Sequence, residues 1–241
     1  TRFSEIYKSY SNIDALIDEN SILQYNFIAY EDWKITQQRK EYQIYMEMMK
    51  NKVNELIKAD KKDKTLKYID GYTKNLRETF SVMSSILTSE IHELADIQIL
   101  GNMANFYPLL IKAYRFDTSE DKQKFRRVCR LIEIFSFRVY SILDGMANKG
   151  QSRLYTIAKD FRGDYDNLCE DIKIAIKDFS SDKGFIEKLS ESEFFNNYSS
   201  IVKNYFFWKY ENYLRDTEQP VAAPIPHSVF KSQNKRYKFS I

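Results

Sequence analysis

The chain has 241 residues, 43% of them apolar and 15% aromatic, with a formal net charge of +3. That supplies a sizeable core for one large domain or two small ones, and six Gly and four Pro are too few for a many-turned β fold. Lys231, Lys235, Arg236 and Lys238 lie together without an acid, and residues 1–228 come to −1, which excludes a generally basic nucleic-acid-binding body.

In chain order, Phe3 to Ile17 reads as a first helix, with Phe3, Ile6, Tyr7, Tyr10, Ile13, Leu16 and Ile17 near one face. Asp18-Glu19-Asn20-Ser21 breaks it, and a second helical region starts near Ser21. Glu31 to about Ala59 is long and charged, with Trp33, Ile44, Met48, Val53, Leu56 and Ile57 as its stripe. Asp60-Lys61-Lys62-Asp63-Lys64 reads as a solvated turn. Thr65 to Thr88 follows with Leu66, Ile69, Thr73, Leu76, Phe80, Met83 and Leu87, so Trp33–Thr88 forms a long antiparallel helical hairpin. Gly71 inside it costs about 1 kcal/mol relative to Ala and points to a kink or a close helix contact.

Ile91 to Leu100 is a short amphipathic helix stopped by Gly101-Asn102. Pro108 in NFYPLLIKAY fits the first turn of a helix starting near Tyr107. Asp117-Thr118-Ser119-Glu120 caps the central element, Asp121 to Asn148. Its Phe125, Val128, Ile132, Phe135, Val139, Ile142 and Met146 share one stripe. Leu131, Ile134, Phe137 and Leu143 make its middle apolar nearly all round, as in a helix surrounded by others. Gly145 and Gly150 bracket its frayed end. Leu154–Asp160, Tyr165–Phe179 and Phe185–Leu189 are three further helical pieces, and Asn197 to Arg215 is a late aromatic helix. Gln219 to His227, with Pro220, Pro224 and Pro226, is an extended linker, and Tyr237 to Ile241 alternates like a short strand. The fold class is all-α: a multi-helix bundle with long antiparallel helices, a buried central helix and a short extended C-terminal tail. The division is residues 1–102, residues 103–216 and a tail 217–241, or one continuous helical domain.

Chemistry-bearing residues are sparse. His92 in EIHE has no second His at metal spacing and reads as a surface or helix-lining residue; His227 reads as exposed. No phosphate-loop, dinucleotide, nucleophile-elbow or HExxH motif is present in these residues, so no catalytic, cofactor-binding or metal residue is assigned. Arg126, Arg127, Arg130 and Arg138 read as structural cations. Arg130 and Glu133 are spaced for an i,i+3 pair, and Arg138 in the apolar middle needs a partner. Lys231, Lys235, Arg236 and Lys238 are the candidate DNA-backbone contacts. Cys129 and Cys169 lack a CxxC or a neighbouring His and read as buried small hydrophobes, in keeping with a reducing, cytoplasmic compartment. No apolar run approaches the roughly 20 residues that span a bilayer, so no membrane partner is expected. The missing initiator Met and the end at Ile241 read as a piece of a longer protein.

The order of three segments carries a resemblance. NFYPLLIKAY (Asn105–Tyr114), the Arg-rich RRVCRLIEIFSFRVY (Arg126–Tyr140) and YFFWKYENYLR (Tyr205–Arg215) are followed by a linker and KRYKFSI (Lys235–Ile241). This is similar to the helical region of GmrSD-type proteins, a modification-dependent restriction family, and covers roughly residues 105–241. In that family the last strand runs into Glu-His-Ile-x-Pro, the start of a His-Me finger (HNH-like) nuclease site. The present chain stops before it and also lacks the family's Asp-Gly-Gln-Gln-Arg motif for nucleotide use, so none of the family's catalytic residues falls on a position here. The resemblance implies a parent protein that recognises and cuts modified phage DNA with a nucleotide triphosphate and a divalent metal. It casts this chain as the non-catalytic body between the nucleotide and nuclease modules, with those domains and DNA as partners. The rival expectation is a protein–protein interaction module whose aromatic face around Tyr205–Tyr213 docks a partner or a second copy of the chain, without a DNA role.

Overall fold

In a computed structural model, the structure describes residues 1–31, 45–59, 61–143, 146, 148–218 and 224–234. The described residues form an all-α multi-helix bundle, with no strand among them. Helix α1 is Arg2–Tyr10, α2 Glu19–Tyr30, α3 Tyr45–Lys58, α4 Lys62–Thr88, α5 His92–Leu100, α6 Tyr107–Phe116 and α7 Gln123–Phe135. Helix α8 is Gln151–Asp160, α9 Tyr165–Phe179, α10 Asp182–Leu189, α11 Ser200–Glu218 and α12 His227–Asn234. A π-helical stretch, Ser136–Ile142, extends α7, and Phe194–Asn197 adds one short turn before α11.

The centre of the molecule is α7. Its Phe125, Val128, Cys129, Ile132 and Phe135 are wholly buried, and Val139 and Ile142 continue the stripe through the π-helical turns. Helices α5, α6 and α9 pack against α7, while α2 bridges α4, α6 and α8. The main core draws together residues from Ile6 to Ile176 and runs without a break across residues 102 and 103. The apolar surroundings of α7 have limits: Ile134 is 42% exposed, Leu131, Phe137 and Leu143 are partly buried, and Met146 is 77% exposed. The reading of a helix apolar on all sides is therefore too broad; one stripe is enclosed and the opposite edge reaches solvent.

The start of α7 is built by Asp117. One carboxylate oxygen accepts from the Phe125 backbone N–H at 2.7 Å and the other from the Ser119 N–H at 2.7 Å. This satisfies donors that a helix N-terminus leaves open. Between them Asp121 (φ 52°) and Lys122 (φ 55°) take the left-handed conformation, which is costly for residues with a Cβ. Lys122 holds that bend by donating to the carbonyls of Asp117 (2.5 Å) and Tyr114 (3.2 Å). Gly150 closes the other end of the segment at φ 75°, where a Cβ would meet Phe135 at 2.8 Å and Phe179 at 3.1 Å.

Several boundaries differ from the sequence reading. The first helix ends at Tyr10, and turns built on the Tyr10 and Ile13 carbonyls carry the chain to Ile17. Only Ile6 and Ile13 of its proposed stripe are buried; Phe3, Tyr7 and Leu16 are exposed because α4 covers one side of α1 alone. In the hairpin α3–α4, Thr65 is buried while Leu66 and Ile69 are exposed. The apolar positions of its first turns therefore do not face the core. Gly71 has neither a kink nor a close contact to explain it: it lies within α4, and a Cβ there would meet open space. Trp33, Ile44, Asp60, Gly145, Pro220 and the Tyr237–Ile241 segment lie outside the described residues. Residues 224–226 have no regular secondary structure, and α12 starts at His227, the expected end of the linker, its first turn donating from Val229 and Phe230 to the Pro226 carbonyl.

Candidate functional site

The sequence-selected charges meet where α5, α7, α10 and α11 converge. Glu93 on α5 receives two guanidiniums from α7: Arg126 at 2.9 Å and Arg130 at 2.9 Å. One turn on, Asp96 of α5 and Glu133 of α7 both bind Lys209 of α11, at 2.8 and 2.9 Å. The Tyr205 hydroxyl donates to the same Glu133 carboxylate, with its ring buried against Phe137. Arg130 thus reaches across to α5 rather than along α7 to Glu133. A tertiary partner with a less exposed carboxylate displaces the i,i+3 pairing that spacing allowed.

Burial alone would raise the Glu93 carboxyl, but its backbone N–H and the two guanidiniums outweigh that and hold it below the usual carboxylate range. Burial would lower the Lys209 ammonium, and the facing Glu133 and Asp96 hold it above its ordinary value instead. The Tyr205 hydroxyl is pushed well up, first by burial and then by Glu133. All three groups are thereby fixed in the protonation state they already hold at neutral pH. Such pairing ties α5, α7 and α11 to one another.

Arg138 finds the partner that its apolar position demanded. It donates to the Ser180 carbonyl at 2.7 Å, pairs with Asp182 at 2.6 Å, and lies 4.6 Å from the Phe185 ring centre. Arg138 lies within the π-helical stretch, where the Leu143 N–H donates to the Arg138 carbonyl five residues back. Phe137 is turned into a satellite cluster with Phe185, Tyr205 and Phe206. Arg127 completes the set with Asp166 of α9 at 2.8 Å. Each of the four arginines thus reaches a carboxylate on another element, Arg130 on Glu93 instead of the expected Glu133.

The C-terminal segment is clamped onto α11. The Trp208 indole N–H donates to the Ile225 carbonyl at 2.5 Å, and Asn212 accepts from the Ile225 N–H at 2.8 Å while donating to its carbonyl at 3.2 Å. The His227 ring stands edge-on to Trp208 with centres 5.1 Å apart, so His227 is half-buried rather than exposed. Lys231 falls in the last turns of α12, whereas Lys235, Arg236 and Lys238 lie outside the described residues. His92 is exposed on the first turn of α5. Cys129 and Cys169 are buried free thiols, each pushed up first by burial.

One buried cation escaped the sequence reading. Lys112 on α6 is 1% exposed, donates at 2.8 Å to the Lys159 carbonyl near the end of α8, and is pulled down to about 7, first by burial and then by Arg162. The apolar run around it, YPLLIKAY, hid its position: a single Lys in such a run usually snorkels outward. Among the described residues no group of three or more His, Cys, Asp or Glu is placed to hold a metal, and no helix is long and apolar enough to cross a membrane. No family model, curated protein or solved structure matches the chain.

Proposed function

We propose that this chain is the non-catalytic helical body of a GmrSD-like, nucleotide-dependent restriction protein of the bacterial cytoplasm. In this reading it links a nucleotide-binding module to an HNH-like nuclease module acting on phage DNA. Nucleotide triphosphate and divalent metal would be used by those modules, and the chain itself would hold none. Support comes from the order of the three segments and from one structural observation, the clamp of Trp208 and Asn212 on Ile225. The clamp holds residues 224–234 against the helix that the ionic junction ties to the core. A connector has to hold the segment that leads towards the next module, and contacts of this kind to the Ile225 peptide suit that role.

Two measurements on the full-length protein test the reading. Trp208→Ala with Asn212→Ala should lower cleavage of modified DNA by about tenfold or more, while nucleotide hydrolysis persists. Lys235→Ala, Arg236→Ala and Lys238→Ala together should weaken DNA binding and flatten its salt dependence. A full-length protein without nuclease activity on any modified DNA, or DNA binding unchanged across a salt titration in the triple variant, counts against it.

One observation favours the interaction-module alternative. On α11, Tyr210 is 53% exposed and Tyr213 62% exposed, an aromatic surface larger than a lone helix needs. Light scattering behind size exclusion would show a concentration-dependent dimer if that face is an interface.

A further inference from the structure

The tip of the α3–α4 hairpin combines two features that the function proposed above leaves unused. Residues 58–67 hold five lysines, Lys58, Lys61, Lys62, Lys64 and Lys67, against Asp60 and Asp63. Their surplus equals the net charge of the whole chain. All five lysines are exposed, and none is ion-paired among the described residues. Elsewhere Arg2, Arg77, Arg115, Arg126, Arg127, Arg130, Arg138 and Lys209 each reach a carboxylate; what sets the tip apart is five exposed lysines within ten residues.

The second feature is apolar. Ile57 is 60% exposed and Leu66 57% exposed, and with Thr65 and Lys62 they line a hollow of about 250 Å³ between α3 and α4. Ile69, 42% exposed and one turn beyond Leu66, extends the aliphatic edge along α4. Ile57 and Leu66 give the hollow an aliphatic lining and Lys62 lines it beside them; Lys58, Lys61, Lys64 and Lys67, exposed close by in the chain, are taken with Lys62 as its lysine rim.

We propose that this tip is a docking site for an acidic amphipathic helix of a protein partner. The groove takes the partner's aliphatic side chains as a third helix packs between two. The lysine rim pairs with carboxylates on the flanks of that helix. Charge complementarity sets the sign of the partner and speeds encounter. The aliphatic floor separates a protein partner from a nucleic acid, because a phosphodiester backbone has no use for Ile57, Leu66 or Ile69. The site is remote in sequence from the basic tail considered for DNA and does not depend on the restriction reading.

The test uses the whole chain and a fluorescent synthetic peptide with Leu at i, i+3, i+4 and i+7 and Glu at the flanking positions. Anisotropy should show saturable binding that weakens as salt rises. Leu66→Ser should weaken it by about tenfold, and Lys61→Gln with Lys62→Gln and Lys64→Gln by a similar factor with a flatter salt dependence. Leu16→Ser, an equally exposed leucine elsewhere, should leave it unchanged. All of these positions are exposed, and circular dichroism confirms that each variant folds. Absence of binding, or binding indifferent to Leu66→Ser, overturns the proposal. So does a preference for a short duplex DNA or for phosphatidylserine vesicles that needs the lysines but not Leu66; that result makes the tip a phosphate-binding surface.

Discussion

The junction of α5, α7 and α11 and the tip of α3–α4 are both rich in cations, and they are handled in opposite ways. At the junction, Glu93, Asp96 and Glu133 close on Arg126, Arg130 and Lys209, and the carboxylates are largely shielded from solvent. At the tip, five lysines stand in solvent without a carboxylate among the described residues. A closed network fixes which helix lies where, because each desolvated charge has its partners on other helices and leaving it open is costly. An open cluster contributes little to stability and keeps its field available to an outside partner.

Lys112 is a third case, a buried cation facing no carboxylate at hydrogen-bond distance, and it should give the largest effect. Its folded-state value of about 7 lies below the ordinary 10.5, so the unfolded chain holds the proton more tightly. Stability is therefore at its lower level below pH 7 and rises as pH climbs from 7 towards 10.5. The groups facing Lys112 are Arg115 on its own helix, Tyr30 of α2, and Asp160 and Arg162 at the end of α8. Comparing the native chain with Lys112→Met between pH 7 and 9 isolates this term from the tyrosines and thiols. The native chain should gain about 2 kcal/mol more than the variant over that range in urea denaturation. Equal slopes would mean that Lys112 is solvated when charged.

Next in size is the junction itself. Lys209→Met leaves Asp96 and Glu133 facing each other without a cation and should cost about 2 kcal/mol, read as a lower urea midpoint at unchanged m. A cost below about 0.5 kcal/mol would put this pair in the class of surface salt bridges and remove the contrast with the tip. Gly71→Ala on α4 should stabilise by about 0.5–1 kcal/mol, since the site is helical, exposed and open. Loss of stability there would reveal a packing demand that the open space conceals. Smallest of all, Lys64→Gln at the tip should move the thermal midpoint by no more than the scatter of replicate scans.

Much of the architecture is legible in the sequence, and its errors are instructive. Tyr165–Phe179 agrees with the reading to the residue, and Pro108 falls in the first turn of α6 as expected. The stripe Phe125–Ile142 is buried as its spacing requires. The errors cluster where spacing has two solutions. Leu66 and Ile69 follow a helical period as well as Leu76 and Phe80 do, yet the first pair overhangs the core. Arg130 and Glu133 have the spacing of a pair, yet each finds a closer-held partner on another helix. The docking of α12 was hidden because its anchor is a backbone, the Ile225 peptide, which leaves no mark on side-chain pattern.

The sequence by itself determined that this chain is helical, roughly where most of its helices lie, and that α7 is its centre. Those features follow from local propensity, capping residues and a 3.6-residue period, all written within a few turns of chain. Tertiary structure alone decided which cations are closed and which stay open, that Lys112 is enclosed, and that the C-terminal segment folds back on Trp208. Each of those depends on residues 17 to 113 positions apart, as Trp208 is from Ile225 and Lys209 from Asp96. No local pattern specifies a partner at that distance, because the choice is made by packing many faces at once.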